Sequence, residues 1–223
     1  MTWMVFFFVF AVINWGSVEY HWRRVELASK PLALLALLAC FLELIGWQGG
    51  GLWFGLGLVF SLAGDTLLLW PKRYFLPGLI AFLTAHICYI IGLNQGAIPL
   101  QFSGFLALVL AAAVGFSCHR TIRKGMRRKP ENEGLRWPVL FYCLVITLMM
   151  LSAWLCLLRP EWPTAAGWLA AIGATLFVAS DSLLAYGMFV HPMEHGDLLV
   201  MITYHLGQVG ILAGVLLRFS GQA

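Results

Sequence analysis

The sequence predicts an all-α fold: a polytopic membrane protein with eight transmembrane helices in one bundle. Three observations predict it. Of 223 residues, 61% are apolar and 11% charged, where a soluble globular domain carries about 25% charged residues. The apolar residues fall into eight runs, each close to the roughly 20 residues that a bilayer crossing needs. Basic residues collect in every second connection, as they do on the cytoplasmic side of membrane proteins. Eight spans use about 160 residues, so residues 1–223 form a single integral membrane domain with no room for an extramembrane one. This excludes a soluble enzyme, a disordered or collagen-like chain and a nucleic-acid-binding domain, and it puts any chemistry within the helices or at their rim.

The expected helices are 2–20, 31–47, 51–70, 75–93, 98–117, 138–158, 164–186 and 198–218. The first is an apolar run with no basic residue ahead of it and no small-residue cleavage site after it, so it is a retained span and not a secretory signal. Pro31, Pro138 and Pro163 stand where helices 2, 6 and 7 can begin, while Gly49 to Gly51 and Pro71 interrupt the apolar runs around helix 3. No segment alternates polar and apolar residues over the ten positions of a barrel strand.

Arg23, Arg24 and Lys30 follow helix 1; Lys72 and Arg73 follow helix 3; Arg120, Arg123, Lys124, Arg127, Arg128, Lys129 and Arg136 follow helix 5. Only Arg159 and Arg218 fall on the other side. Both termini are therefore expected in the periplasm or lumen. The basic stretch 117–137 suits anionic lipid headgroups, and the same charge rule accounts for it without a nucleic acid. Cys40, Cys88, Cys118, Cys143 and Cys156 form no close pair of the metal-binding or redox kind and read as small apolar fillers.

The chain also resembles itself. AGDTLL at 63–68 matches ASDSLL at 179–184, and TAHICY at 84–89 matches TYHLGQ at 203–208. With four helices per half, the repeat describes two four-helix halves related by an axis along the membrane normal.

Asp65 and Asp181 each lie about five residues from the cytoplasmic end of their helices, roughly 8 Å inside at 1.5 Å per residue. A charged side chain at the centre of a span costs about 2.5–3.5 kcal/mol on insertion scales. An interhelical hydrogen bond returns only about 0.6 kcal/mol, so packing alone does not account for either residue, and each must face the bundle interior. His86 and Tyr89 on helix 4, and Tyr204 and Gln208 on helix 8, are reachable from the same half. Lys30, placed by Pro31 beside a helix N-terminus, would make a phosphate contact there. Glu19 can pair with Arg23 at i+4, and Asn14 and Glu43 read as packing or interface residues.

Two carboxyls at one depth in a low-dielectric cavity do not readily both carry charge; one acid beside one carboxylate is the natural state. That pairing protonates a substrate and then stabilises the oxocarbenium ion and activates water, as in glycosidases. Neither a Gly-x-Ser-x-Gly elbow nor an HExxH zinc motif occurs in the sequence.

GDTLLLW around Asp65, FLPGLIAFLTAHICY at 75–89, SDSLLAYGMF around Asp181, TYHLGQVGIL at 203–212 and Lys30-Pro31 together resemble the YhhN family of eight-helix membrane proteins, which includes the TMEM86 lysoplasmalogenases. The resemblance covers about residues 25 to 215. It implies hydrolysis of the vinyl ether bond of a lysophospholipid, lysoplasmalogen, to a fatty aldehyde and glycerophosphoethanolamine or glycerophosphocholine, without a cofactor. Asp65 and Asp181 would be the acid/base pair, with Lys30 on the phosphate and His86, Tyr89, Tyr204 and Gln208 orienting ether oxygen, water or glycerol. Two alternatives stand beside it. His205, lying between the matching Tyr204 and Gln208, could join His86 and the two aspartates around a zinc ion in a lipid hydrolase. The internal repeat with its carboxylates would equally suit a proton-coupled carrier.

Overall fold

The computed structural model describes residues 2–47, 49–96, 102–128 and 130–220. Lys129, the Lys72 side chain and the expected start of helix 5 at residue 98 lie outside what is described. Among the described residues there are eight α-helices and no strand: α1 (Thr2–Glu19), α2 (Arg23–Leu44), α3 (Gly51–Leu68), α4 (Pro71–Leu93), α5 (Phe102–Met126), α6 (Arg136–Leu155), α7 (Thr164–Phe189) and α8 (Gly196–Ser220), with short 3₁₀ segments at Pro130–Leu135 and Cys156–Leu158. All eight are long and apolar enough to cross a membrane. The protein is thus a polytopic all-α membrane protein.

Three boundaries depart most from expectation. Helix α2 begins at Arg23 and runs through Pro31. Arg23 and Arg24 therefore open the helix, and Lys30 is its eighth residue, well past its N-terminus. The helix-start rule for proline misplaced this boundary, because a proline only near the beginning of a long helix leaves most of the ladder intact. It also means that Glu19, the last residue of α1, and Arg23 do not share one helix. Arg23 pairs with Glu26 at 3.0 Å and donates to the Leu69 carbonyl just past the end of α3. Helix α5 continues nine residues beyond the expected end, through Arg120, Arg123 and Lys124. Hydropathy marks where a chain leaves hydrocarbon, whereas Arg and Lys are good helix formers and complement the carbonyl end of the helix dipole. Helix α4 starts at Pro71, with proline at the first position, and carries a kink at Tyr74 (φ −121°, ψ 22°). Pro77 removes the hydrogen bond to the carbonyl of residue 73 and its ring crowds that carbonyl.

The chain divides into two compact units, residues 1–95 with 215–223, and residues 96–214. In the first, α3 and α4 pack antiparallel in one constant register. A side chain at Gly57 would meet the Tyr89 ring, one at Gly64 the Phe82 ring, one at Gly78 Leu68 and one at Gly92 the Phe54 ring. These glycines let large side chains of the opposite helix come close, the usual device where helices associate without a hydrophobic drive. In the second unit, α7 and α8 approach still more closely. A Cβ at Gly173 would strike the backbone of residues 207–211, and Cβ atoms at Gly207, Gly210 and Gly214 would strike the backbone of α7.

Candidate active site

The buried positions of α3 run Phe54, Gly57, Leu58, Ser61, Gly64, Asp65, one stripe at three- and four-residue spacing. The stripe puts Asp65 and, one turn before it, Ser61 on the inward face. Asp65 is 1% exposed, and its Oδ1 lies 3.4 Å from the Lys30 ammonium, itself buried. This is a charge pair inside membrane-spanning helices, where a lone carboxylate is costly and a neighbouring ammonium offsets that cost. Next to Lys30, Ser29 Oγ accepts from Asn14 Nδ2 at 3.2 Å. Ser17 donates to the Asn14 carbonyl at 2.8 Å. Asn14, Ser17, Ser29 and Ser61 are all buried. The α3–α4 register sets His86 level with Ser61, and His86 and Tyr89 are both buried. The first unit thus holds a polar cluster contributed by α1, α2, α3 and α4.

The second unit holds another. Tyr142 of α6, buried, donates its hydroxyl hydrogen to Asp181 Oδ2; Asp181 itself is half-buried. Ser180 donates to the Val200 carbonyl at 2.9 Å and so ties α7 to α8. Gln208 Nε2 donates to the Tyr204 hydroxyl at 3.3 Å, and the Tyr204 ring meets Phe177 edge-on at 5.3 Å. Ser182 Oγ lies 3.5 Å from Cys118 Sγ.

Of the residues singled out in the sequence, Lys30, Asp65, His86 and Tyr89 therefore belong to the first unit, and Asp181, Tyr204 and Gln208 to the second. Lys30 does not stand at a helix N-terminus, so the reason given for a phosphate contact there is withdrawn; its neighbour is Asp65. Tyr142 escaped the sequence reading, which singled out tyrosines only on helices 4 and 8. Its signal was position, because a tyrosine about two turns inside a span lies deeper than the interfacial belt that tyrosine favours. Ser61 carried no signal until its face of α3 was known. Among the described residues no group of three or more His, Cys, Asp or Glu side chains is placed to hold a metal ion, so the zinc alternative finds no ligand set among them.

The sequence profile of the YhhN family matches residues 25–215. The chain belongs to the YhhN family. This YhhN protein is 34% identical over 159 residues to lysoplasmalogenase TMEM86B of Homo sapiens, covering 71% of this chain and 61% of that one. To lysoplasmalogenase TMEM86B of Mus musculus it is 30% identical over 204 residues, 91% of this chain and 80% of the relative. To a lysoplasmalogenase of Mycobacterium bovis it is 30% identical over 167 residues, 73% of this chain and 59% of the relative. The YhhN chain thus matches less than two thirds of the length of the human and mycobacterial relatives. No solved structure matches it.

Proposed function

We propose that this YhhN protein is a lysoplasmalogenase, an ether hydrolase acting on lysophospholipids that carry a vinyl ether chain. Relatives of that name in mammals and in a mycobacterium support the reading. The structural observation that carries it is Asp65, nearly inaccessible within a membrane span yet paired with Lys30 in a cluster of hydroxyl and amide groups. Interhelical hydrogen bonding returns too little to account for burying such a group, whereas acid–base chemistry on a lipid gives it a use.

In this reading Asp181 gives a proton to the β carbon of the enol ether, leaving an oxocarbenium ion at the α carbon. Water adds to that carbon and its proton passes to Asp65, whose negative charge also stabilises the cation. The hemiacetal then collapses. Its hydroxyl proton returns to Asp181, the glycerol oxygen takes the proton from Asp65, and fatty aldehyde leaves together with glycerophosphoethanolamine or glycerophosphocholine. Lys30 holds Asp65 in place. Tyr142 orients Asp181, while His86, Tyr89, Tyr204 and Gln208 contact the ether and glycerol portions. The protein works as one functional domain in a bacterial plasma membrane, its basic helix ends cytoplasmic and its termini periplasmic.

The test gives purified protein a lysoplasmalogen and the corresponding ester lysophospholipid side by side, with and without a chelator. Aldehyde from the first, no fatty acid from the second and no effect of chelation is the expected result. Fatty acid from the ester, or loss of turnover with chelator, overturns it.

A further inference from the structure

The polar cluster of the first unit has more hydrogen-bonding capacity than its side chains use. An ammonium carries three N–H donors, and among the described residues Lys30 faces one charged acceptor, Asp65 Oδ1, at 3.4 Å. Ser61 Oγ is fully buried and meets no described hydrogen-bonding partner. This is unusual for a hydroxyl in a helix. In the same unit Thr66 and Thr84 donate to the carbonyls four residues back at 2.8 and 2.9 Å, a bond equally open to serine. Ser61 does not make it, so its hydroxyl is turned to another purpose. Asn14 Oδ1 is likewise fully buried without a described partner, while its Nδ2 is engaged by Ser29. Exchanging the amide's oxygen and nitrogen would satisfy one end and leave the other, so one polar end lacks a partner either way.

Two contacts and neighbouring positions on α2 and α3 link these groups. Ser61 is one turn from Asp65 on the same buried face, Asp65 is paired to Lys30, and Lys30 adjoins Ser29, which holds Asn14. We propose that Lys30, Ser61, Asn14 and Asp65 hold one ordered water molecule, and that this water is the nucleophile of the hydrolysis. The second half of the proposal rests on the lysoplasmalogenase reading; the first does not. The bonding is complete for a water that accepts from the Lys30 ammonium and the Ser61 hydroxyl and donates to Asn14 Oδ1 and Asp65. Buried waters make about three such bonds, within a range of two to four. On attack its oxygen bonds to the α carbon and the hydrogen directed at Asp65 passes to that carboxylate. Lys30 keeps its charge throughout, and Ser61 and Asn14 fix the direction of approach.

The test uses the full chain in lipid bilayers and has two arms. In the first, solid-state NMR follows polarisation transfer from water protons to the Asp65 side-chain carboxyl carbon, with exposed Asp197 as the reference. Transfer at Asp65 should approach that at Asp197, fall about threefold or more in Ser61→Ala and return in Ser61→Thr, because one of the water's bonds is lost and then restored. In the second, Ser61→Ala should lower kcat for aldehyde release about 10- to 100-fold with little change in KM, and Ser61→Thr should recover most of it. Slow transfer at Asp65 in the unaltered protein overturns the water site. Fast transfer that Ser61→Ala leaves unchanged, with kcat also unchanged, removes Ser61 from it and overturns the arrangement. Fast transfer in a protein that releases no aldehyde upholds the bound water and overturns its role as nucleophile together with the lysoplasmalogenase reading.

Discussion

Replacing Lys30 by methionine removes a charge and keeps a side chain of similar length, so the effect reports on the pair and little else. Asp65, 1% exposed, would be left in a membrane span without its ammonium neighbour at 3.4 Å. Breaking a buried pair from one side costs about 3–5 kcal/mol, and an unpaired aspartate in a span costs up to about 2.5–3.5 kcal/mol on insertion scales, the value reached at its centre. The two routes agree on about 3 kcal/mol. Asp65→Leu should cost a similar amount by stranding Lys30. The double variant Lys30→Met with Asp65→Leu leaves no charge at all and should return to within about 1 kcal/mol of the unaltered protein or exceed it, since apolar replacements of buried pairs are often neutral or stabilising. The coupling between the two sites is then several kcal/mol and opposite in sign to the single effects. Reversible unfolding in mixed detergent micelles, read by tryptophan fluorescence, measures all four corners of the cycle. Losses that simply add in the double variant, or single losses below about 0.5 kcal/mol, would show that Lys30 and Asp65 do not stabilise one another and would refute the reasoning.

The same pair bears on activity. Asp65→Asn and Asp181→Asn should each reduce aldehyde release by about 100-fold or more, as expected when a general acid or base is removed; a near-normal rate in either, with correct folding, would count against the two-carboxyl mechanism. Tyr142→Phe removes the donor to Asp181 and should lower kcat about tenfold while unfolding free energy falls by about 1 kcal/mol, the net value of one hydrogen bond; an unchanged rate would confine Tyr142 to packing. Gly173→Ala should destabilise the second unit by about 1–3 kcal/mol or more, because the new methyl meets the backbone of α8, and a thermal melt within error of the original would contradict that close approach.

Much of this was legible before the structure. Asp65 and Asp181 stood out because hydrocarbon penalises charge, and that penalty does not depend on knowing which helices are neighbours. The number of spans and the positions of the basic residues followed from composition and period. What was not legible is what hydropathy does not encode. Pro31 read as a start because proline favours first turns, yet the chain was already helical from Arg23, and this moved Lys30 from a helix end into a buried pair. Arg120 and Lys124 read as loop because they are charged, although charge at a membrane surface leaves helix formation unopposed. Tyr142 and Ser61 depend on which face of α6 and α3 turns inward. That is set by the interleaving of glycines with aromatic rings on a second helix, which no single segment of sequence displays.

The glycine seam between α7 and α8 has a consequence for how this protein can change over generations. With 3.6 residues per turn, adding or deleting one residue within α8 rotates everything beyond it by about 100°. Gly207, Gly210 and Gly214 would swing away and bulkier neighbours such as Leu212 or Val215 would be driven into the backbone of α7. Variation in length is therefore barred from this stretch and admitted only in the connections, so descendants of the sequence should differ there by substitution alone.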